Sequence, residues 1–303
     1  MPSKSQDVSN CGLFGSRPLR NLLAALAVLG SGTTATAEPA QHLVKPSETD
    51  PSITAADLPH VVVIDGFEQT GPLLVWMTGT GGTPAQGEWP FFNTALANGY
   101  RIIALSYIDT PAVAMICINQ ALAADRLCSE HFREKRAFGK NATDVISDAP
   151  QDAIVHRLKA LLVYLTHSNP RQHWDAYLRD GEPDWSKMVL SGQSQGGGMA
   201  AFIAQRFEVA GVIDFSGGWD HATSHRLADW YSLPSATPPD RWYGTYNAKE
   251  DAAAEIAASY AALRIPVSHR FKLDRESLAA PHGAGAVDPI YKDIWIKMLL
   301  NKE

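Results

Sequence analysis

Between residues 61 and 273, short continuous apolar runs alternate with longer stretches in which apolar residues recur every three or four positions. Val61–Ile64 and Leu73–Met77 have no polar interruption, which is the pattern of strands covered on both faces. Asp65-Gly66 and Gly71-Pro72 supply turns between them. Arg101–Tyr107, Met188–Leu190, Val209–Phe215, Arg241–Tyr246 and Val267–Leu273 read as further strands. Ala149–Leu165 places Ile154, Leu158, Leu161, Leu162 and Leu165 on one helical stripe that ends before Asn169-Pro170. Met199, Phe202, Ile203 and Phe207 mark another helix, and Ala112–Leu127, Ala252–Leu263 and Pro289–Leu300 also read as helical. Early strands joined by short turns, then strands alternating with helices, predict an α/β chain with a mostly parallel sheet. Glu38–Leu58, rich in Pro, Ser, Thr and Ala, is expected to lie over the surface.

The chemistry gathers where one of these strands turns into a helix. Met188-Val189-Leu190 runs into Gly192-Gln193-Ser194-Gln195-Gly196, a G-x-S-x-G pattern in the strand–turn–helix context that makes it a nucleophile elbow. Glycines two residues either side of the serine fit a tight turn whose neighbours leave no room for side chains. The serine then sits at a helix N-terminus, and the backbone N–H of Gln195 points where an oxyanion forms. Gly197 and Gly198 put two further glycines at the helix start, and close approach of neighbouring groups is the physical reason to accept their cost. The strand 73–77 enters Thr78-Gly79-Thr80-Gly81-Gly82, which lacks the lysine of a phosphate-binding loop. It reads instead as the second half of an oxyanion hole, with the N–H of Thr80 as donor.

A serine nucleophile needs a base, and the base needs a carboxylate that fixes its tautomer. In the chain order Ser, acid, His, His282 in the small-residue loop Pro281–Gly285 is the candidate base, and His269 within a strand is assigned a structural role. Asp251, just past the strand 241–246, is the first candidate for the acid. Asp220 after the preceding strand is a rival, and so is Glu250, which reads as the N3 partner of a capping box with Asn247. The long segment Trp219–Pro239 carries Trp219, His221, His225, Trp230 and Tyr231, aromatics that line a substrate pocket or simply pack on the domain. Trp219 and Gly79 are the candidate substrate contacts.

The N-terminus alters what the mature chain contains. Lys4, Arg17 and Arg20 precede the apolar core Leu22–Leu29, and Ala35-Thr36-Ala37 closes the segment: a secretory leader over 1–37, too short to serve as a membrane span. Export to the periplasm or beyond is expected, leaving one domain over 38–303. Loss of Lys4, Arg17, Arg20 and Asp7 takes the net charge from −6 to −8, which argues against nucleic acid or an anionic membrane as partner. Cys117 and Cys128 then remain; in an oxidising compartment they suit a local disulfide better than two buried thiols. The histidines lack H-E-x-x-H spacing and no cysteine cluster suits zinc, so neither metal nor cofactor is expected. Asn141-Ala142-Thr143 matches a glycosylation sequon, of consequence only in a eukaryotic host.

Taken together, Gly192-Gln193-Ser194-Gln195-Gly196-Gly197, the Thr78–Gly82 loop and the late His282 resemble the α/β-hydrolase superfamily from Val61 to the C-terminus. The nearest likeness is to exported bacterial esterase- and lipase-type members whose elbow reads G-H-S-Q-G-G. Here Gln193 stands in place of the histidine before the serine, and Thr78 in place of the histidine before the oxyanion glycine. The resemblance implies an eight-stranded, mostly parallel sheet flanked by helices, with loop insertions such as Thr110–Thr143 over the active site. It also implies hydrolysis of a small or polymeric carboxylic ester through Ser194, His282 and Asp251. A peptidase or acyltransferase with the same triad, and a non-catalytic binding protein on the same fold, are the alternatives.

Overall fold

The computed structural model describes residues 39–301 apart from 65, 67–70, 224 and 225. The leader expected over 1–37, Asp65 of the first expected turn and His225 therefore lie outside the described residues.

Alternation within each apolar run decides which layer each side chain joins. In the strand His60–Ile64, Val61 and Val63 face one layer while Val62 and Ile64 face the other; in Leu73–Met77, Leu74 and Trp76 oppose Leu73, Val75 and Met77. Both faces are thereby buried, which is why these strands are apolar throughout except for the buried His60. The sheet has eight strands: β1 Ala40–Val44, β2 His60–Ile64, β3 Leu73–Met77, β4 Arg101–Leu105, β5 Met188–Gln193, β6 Gly211–Phe215, β7 Trp242–Asn247 and β8 Arg270–Leu273. Their spatial order is β1-β2-β4-β3-β5-β6-β7-β8. β1 with β2 and β2 with β4 pair antiparallel, and every other neighbour is parallel. This order and these directions are those of the α/β-hydrolase fold.

Helices cover both faces. α1 Trp89–Ala97 packs with the C-terminal helices α6 Pro281–Val287 and α7 Lys292–Leu300, through Phe91, Phe92, Ala284 and Trp295. The opposite layer holds α2 Cys128–Phe138, α3 Ile154–Ser168, α4 Gln195–Ala204 and α5 Ala253–Ala262. Three parts depart from the sequence reading. Residues 38–58 contain β1, whose side chains alternate between partly buried and exposed as an edge strand's must. Residues 112–127 form two short helical turns, Val113–Ile116 and Asn119–Ala124, followed by the unanticipated helix α2. Val267–His269 is a 3₁₀ turn, so the last strand begins only at Arg270.

Candidate active site

The candidate site residues follow the carboxyl ends of β3, β5, β6, β7 and β8, where parallel α/β sheets open a crevice. Ser194 stands between β5 and α4 with φ 55° and ψ −120°, a strained conformation for a residue with a side chain. Neighbouring backbone holds it there: its N–H donates to the carbonyl of Phe215, and its carbonyl accepts from Gly198 N. The flanking glycine is sterically compelled. A Cβ on Gly196 would come within 2.1 Å of the Met77 carbonyl oxygen. The first N–H groups of α4 have no partner within the helix, so the Gln195 amide is free to face a developing negative charge.

The loop after β3 is drawn against this turn. Gly82 N donates to Gly79 O in a turn with Gly81 at φ 74°. Thr80 lines the same small cleft as Ser194 and Gln195, where the oxyanion reading needs it. Gly79, named as a candidate substrate contact, lies against the elbow. A Cβ there would fall 2.4 Å from Gln193 Oε1 and 3.4 Å from Ser194 Cβ, so its bareness lets the loop close on the elbow.

His282 reaches the elbow from α6, in whose first turn it lies, rather than from a free loop. Its carbonyl accepts a hydrogen bond from Gln193 Nε2 at 3.0 Å, tying the histidine to the residue beside Ser194. Its ring packs edge-on against Trp219, with centroids 5.7 Å apart and planes at 78°. His269 is buried elsewhere, with Nδ1 on the Trp242 carbonyl and its ring stacked on Tyr243.

The carboxylate that meets His282 is Glu250, and this corrects the expectation of Asp251. Glu250 Oε2 lies 2.6 Å from His282 Nδ1, and its side chain is 2% exposed while that of the histidine is 43% exposed. Its second oxygen accepts from Asn247 N at 2.6 Å and Ser216 Oγ at 2.7 Å. The bond from Asn247 N that the capping-box reading foresaw is present. The helix begins only at Ala253 with Ala252 as its cap, so this is a turn contact and not a capping box, and it occupies only one carboxylate oxygen. Asp251 is exposed at the mouth of a neighbouring cleft. Asp220 is committed to Arg133, whose Nε and Nη2 approach its two oxygens at 2.5 and 2.8 Å, and to Trp230 Nε1 at 3.0 Å.

Two openings meet at Trp219. One, of about 40 Å³, is bounded by Thr80, Ser194, Gln195, Arg133 and Asp220. The other, of about 330 Å³, is bounded by Lys249, Glu250, Asp251, Pro281 and His282. Trp219, the other candidate substrate contact, lines both openings. Arg133 was missed, because it belongs to the helix the apolar pattern did not reveal. Cys117 and Cys128 form the expected disulfide, just after Ala112 and Ala114, which line the smaller opening.

No family model and no curated protein matches this chain. Among solved structures it is similar to a dienelactone hydrolase from Anabaena variabilis, at 17% identity and a TM-score of 0.48 over 88% of this chain and 96% of that one. A bacterial heroin esterase is similar at 15% identity and a TM-score of 0.45, over 90% of this chain and 87% of that one. Carboxyl esterase 2 from the mycorrhizal fungus Tuber melanosporum is similar at 11% identity and a TM-score of 0.48, over 89% and 88%.

Proposed function

We propose that this chain is an exported serine hydrolase of carboxylic esters, with Ser194 as nucleophile, His282 as base and Glu250 as the acid that orients it. The observation that carries the reading is the 2.6 Å contact between Glu250 and His282 Nδ1, on a histidine tied through Gln193 to the residue beside a strained serine. With Nδ1 given to the carboxylate, Nε2 is the nitrogen left to take the serine proton. Ser194 Oγ attacks the acyl carbon while His282 accepts its proton, and the N–H groups of Gln195 and Thr80 receive the charge on the carbonyl oxygen. Collapse of that intermediate breaks the ester C–O bond, and His282 returns the proton to the departing alcohol. Water, deprotonated by the same histidine, then attacks the acyl-enzyme and releases the acid. No step draws on a metal or cofactor. The Cys117–Cys128 disulfide and the leader-like N-terminus support export.

A fluorophosphonate probe combined with p-nitrophenyl esters and peptide amides tests this. Stoichiometric labelling that maps to Ser194, ester turnover and loss of both in Ser194→Ala are the expected results. Folded protein that takes no label would overturn the assignment and favour a binding protein on this fold. Labelling with turnover of amides alone would favour a peptidase.

A further inference from the structure

The ion pair beneath the smaller opening leaves something over. Arg133 is 1% exposed, and its Nε and Nη2 are spent on Asp220. Its Nη1 has no hydrogen-bond partner in the protein among the described residues. Gln195, 6% exposed, is in the same position: its Oε1 accepts from Val113 N at 3.3 Å, which fixes the amide's orientation, and its Nε2 has no partner. Buried donors left unpaired are costly, so two beside one cleft call for an explanation. The chain also makes room for the first of them. A Cβ on Gly198, in the opening turn of α4, would lie 2.5 Å from Arg133 Nη2 and 2.9 Å from Nη1. Arg133 and Gln195 bound the 40 Å³ opening together with Ser194 and Thr80.

We propose that this opening receives the acyl part of the ester, and that it selects short acyl groups bearing a neutral acceptor oxygen, a hydroxyl or a carbonyl, which pairs with Arg133 and Gln195. The inference rests on the hydrolase reading and deepens it. The side of the site follows from the chemistry: His282 must protonate the leaving alcohol, and it bounds the other opening, so the alcohol lies there. The small volume admits only a few non-hydrogen atoms beyond the carbonyl, which sets the acyl length as short. The neutrality follows from Asp220, whose bidentate contact already balances the guanidinium charge. What remains is N–H donors without net positive charge, which suits a hydroxyl or carbonyl better than a carboxylate.

The test measures kcat/KM on the full chain for three ethyl esters of similar acyl size: 3-hydroxybutanoate, 3-methylbutanoate and the malonate monoanion. Each value is divided by the ester's own hydroxide-catalysed rate. A site built for a hydroxyl discriminates against the analogue that lacks it, so the hydroxy ester is expected to exceed the hydrocarbon by about ten-fold or more and to exceed the anion as well. In Arg133→Met/Asp220→Asn, which removes both charges together, the ratio of hydroxy ester to hydrocarbon is expected to fall toward one. Fluorophosphonate labelling at Ser194 identifies the folded variant in which that ratio is read. A smaller wild-type ratio, a preference for the anion, or a ratio that persists in the double variant overturns the inference. The wild-type panel decides alone if the variant does not fold. Absence of labelling in the wild type would instead bring down the hydrolase reading itself; labelling without the preference brings down only the acyl-group inference.

Discussion

At the residue scale, one carboxylate does two jobs. Glu250 satisfies the Asn247 N–H and the Ser216 hydroxyl with one oxygen and presents the other to His282. These two bonds fix the carboxylate before any substrate arrives, so the histidine meets a preorganised partner. Glu250→Gln is expected to lower kcat by about 10³–10⁴-fold, because an amide in that place no longer stabilises the imidazolium or fixes its tautomer. Asp251→Asn is expected to stay close to wild type. Steady-state kinetics on a p-nitrophenyl ester distinguish the two, and equal losses would return the acid to Asp251. Ser194, His282 and the glycines of the elbow were legible in the sequence because strained turns and close approaches restrict residue type. The acid was not, because neighbouring carboxylates differ only in the direction their side chains take from a turn. Gln193 was read only as a departure from a pattern, whereas it anchors His282, a role that no local spacing encodes.

At the element scale, legibility followed burial. The strands covered on both faces, β2, β3, β5 and β6, announce themselves as apolar runs, and α3 by its stripe. β1 is half exposed at the sheet edge, and α2 carries five charged residues among its eleven, so neither shows a clean apolar period. Buried charge adds to the apolar burial of Phe132 and Ala137 in fixing α2: Arg133 reaches Asp220, and Arg136 reaches Asp148 at 2.7 Å and the Pro111 carbonyl. The disulfide ties its first residue to Cys117, closing the short turn Asn119–Ala124 between them. Crosslinks of this span restrict the unfolded chain, so Cys117→Ser/Cys128→Ser is expected to lose about 2–3 kcal/mol of stability in denaturant titrations. Labelling of Ser194 should persist in that variant under native conditions, since backbone bonds to Phe215 and Gly198, not the disulfide, hold the serine. Loss of labelling by folded protein would show that the insertion shapes the nucleophile directly.

At the scale of the whole molecule, the antiparallel edge of the sheet is joined to the helical layer through buried polar groups, and this joint makes stability depend on pH. Arg157 on α3 donates to the Asp152 carboxylate and to the carbonyls of Ala56 and Ser106, and Asp152 in turn accepts from the N–H groups of Thr54 and Ala55. Beside them His60 on β2 is fully buried, and its Nδ1 accepts from Ser106 N at 2.9 Å. Burial first, and then the charge of Arg157, push the His60 pKa down to about 3 from its ordinary 6.5. The folded chain therefore keeps this imidazole neutral in a range where the unfolded chain protonates it. The unfolded state binds the extra proton between about pH 6.5 and about 3, so stability falls as the medium is acidified through that window, by at most about 1.4 kcal/mol per pH unit. His60→Asn keeps an acceptor for Ser106 N without a titrating ring, so its stability relative to wild type should improve steadily from pH 7 to pH 5. Equilibrium denaturation of both proteins across that range measures the difference. A constant gap between them would mean that His60 titrates alike in both states, and that the acid sensitivity of the fold resides in its carboxylates.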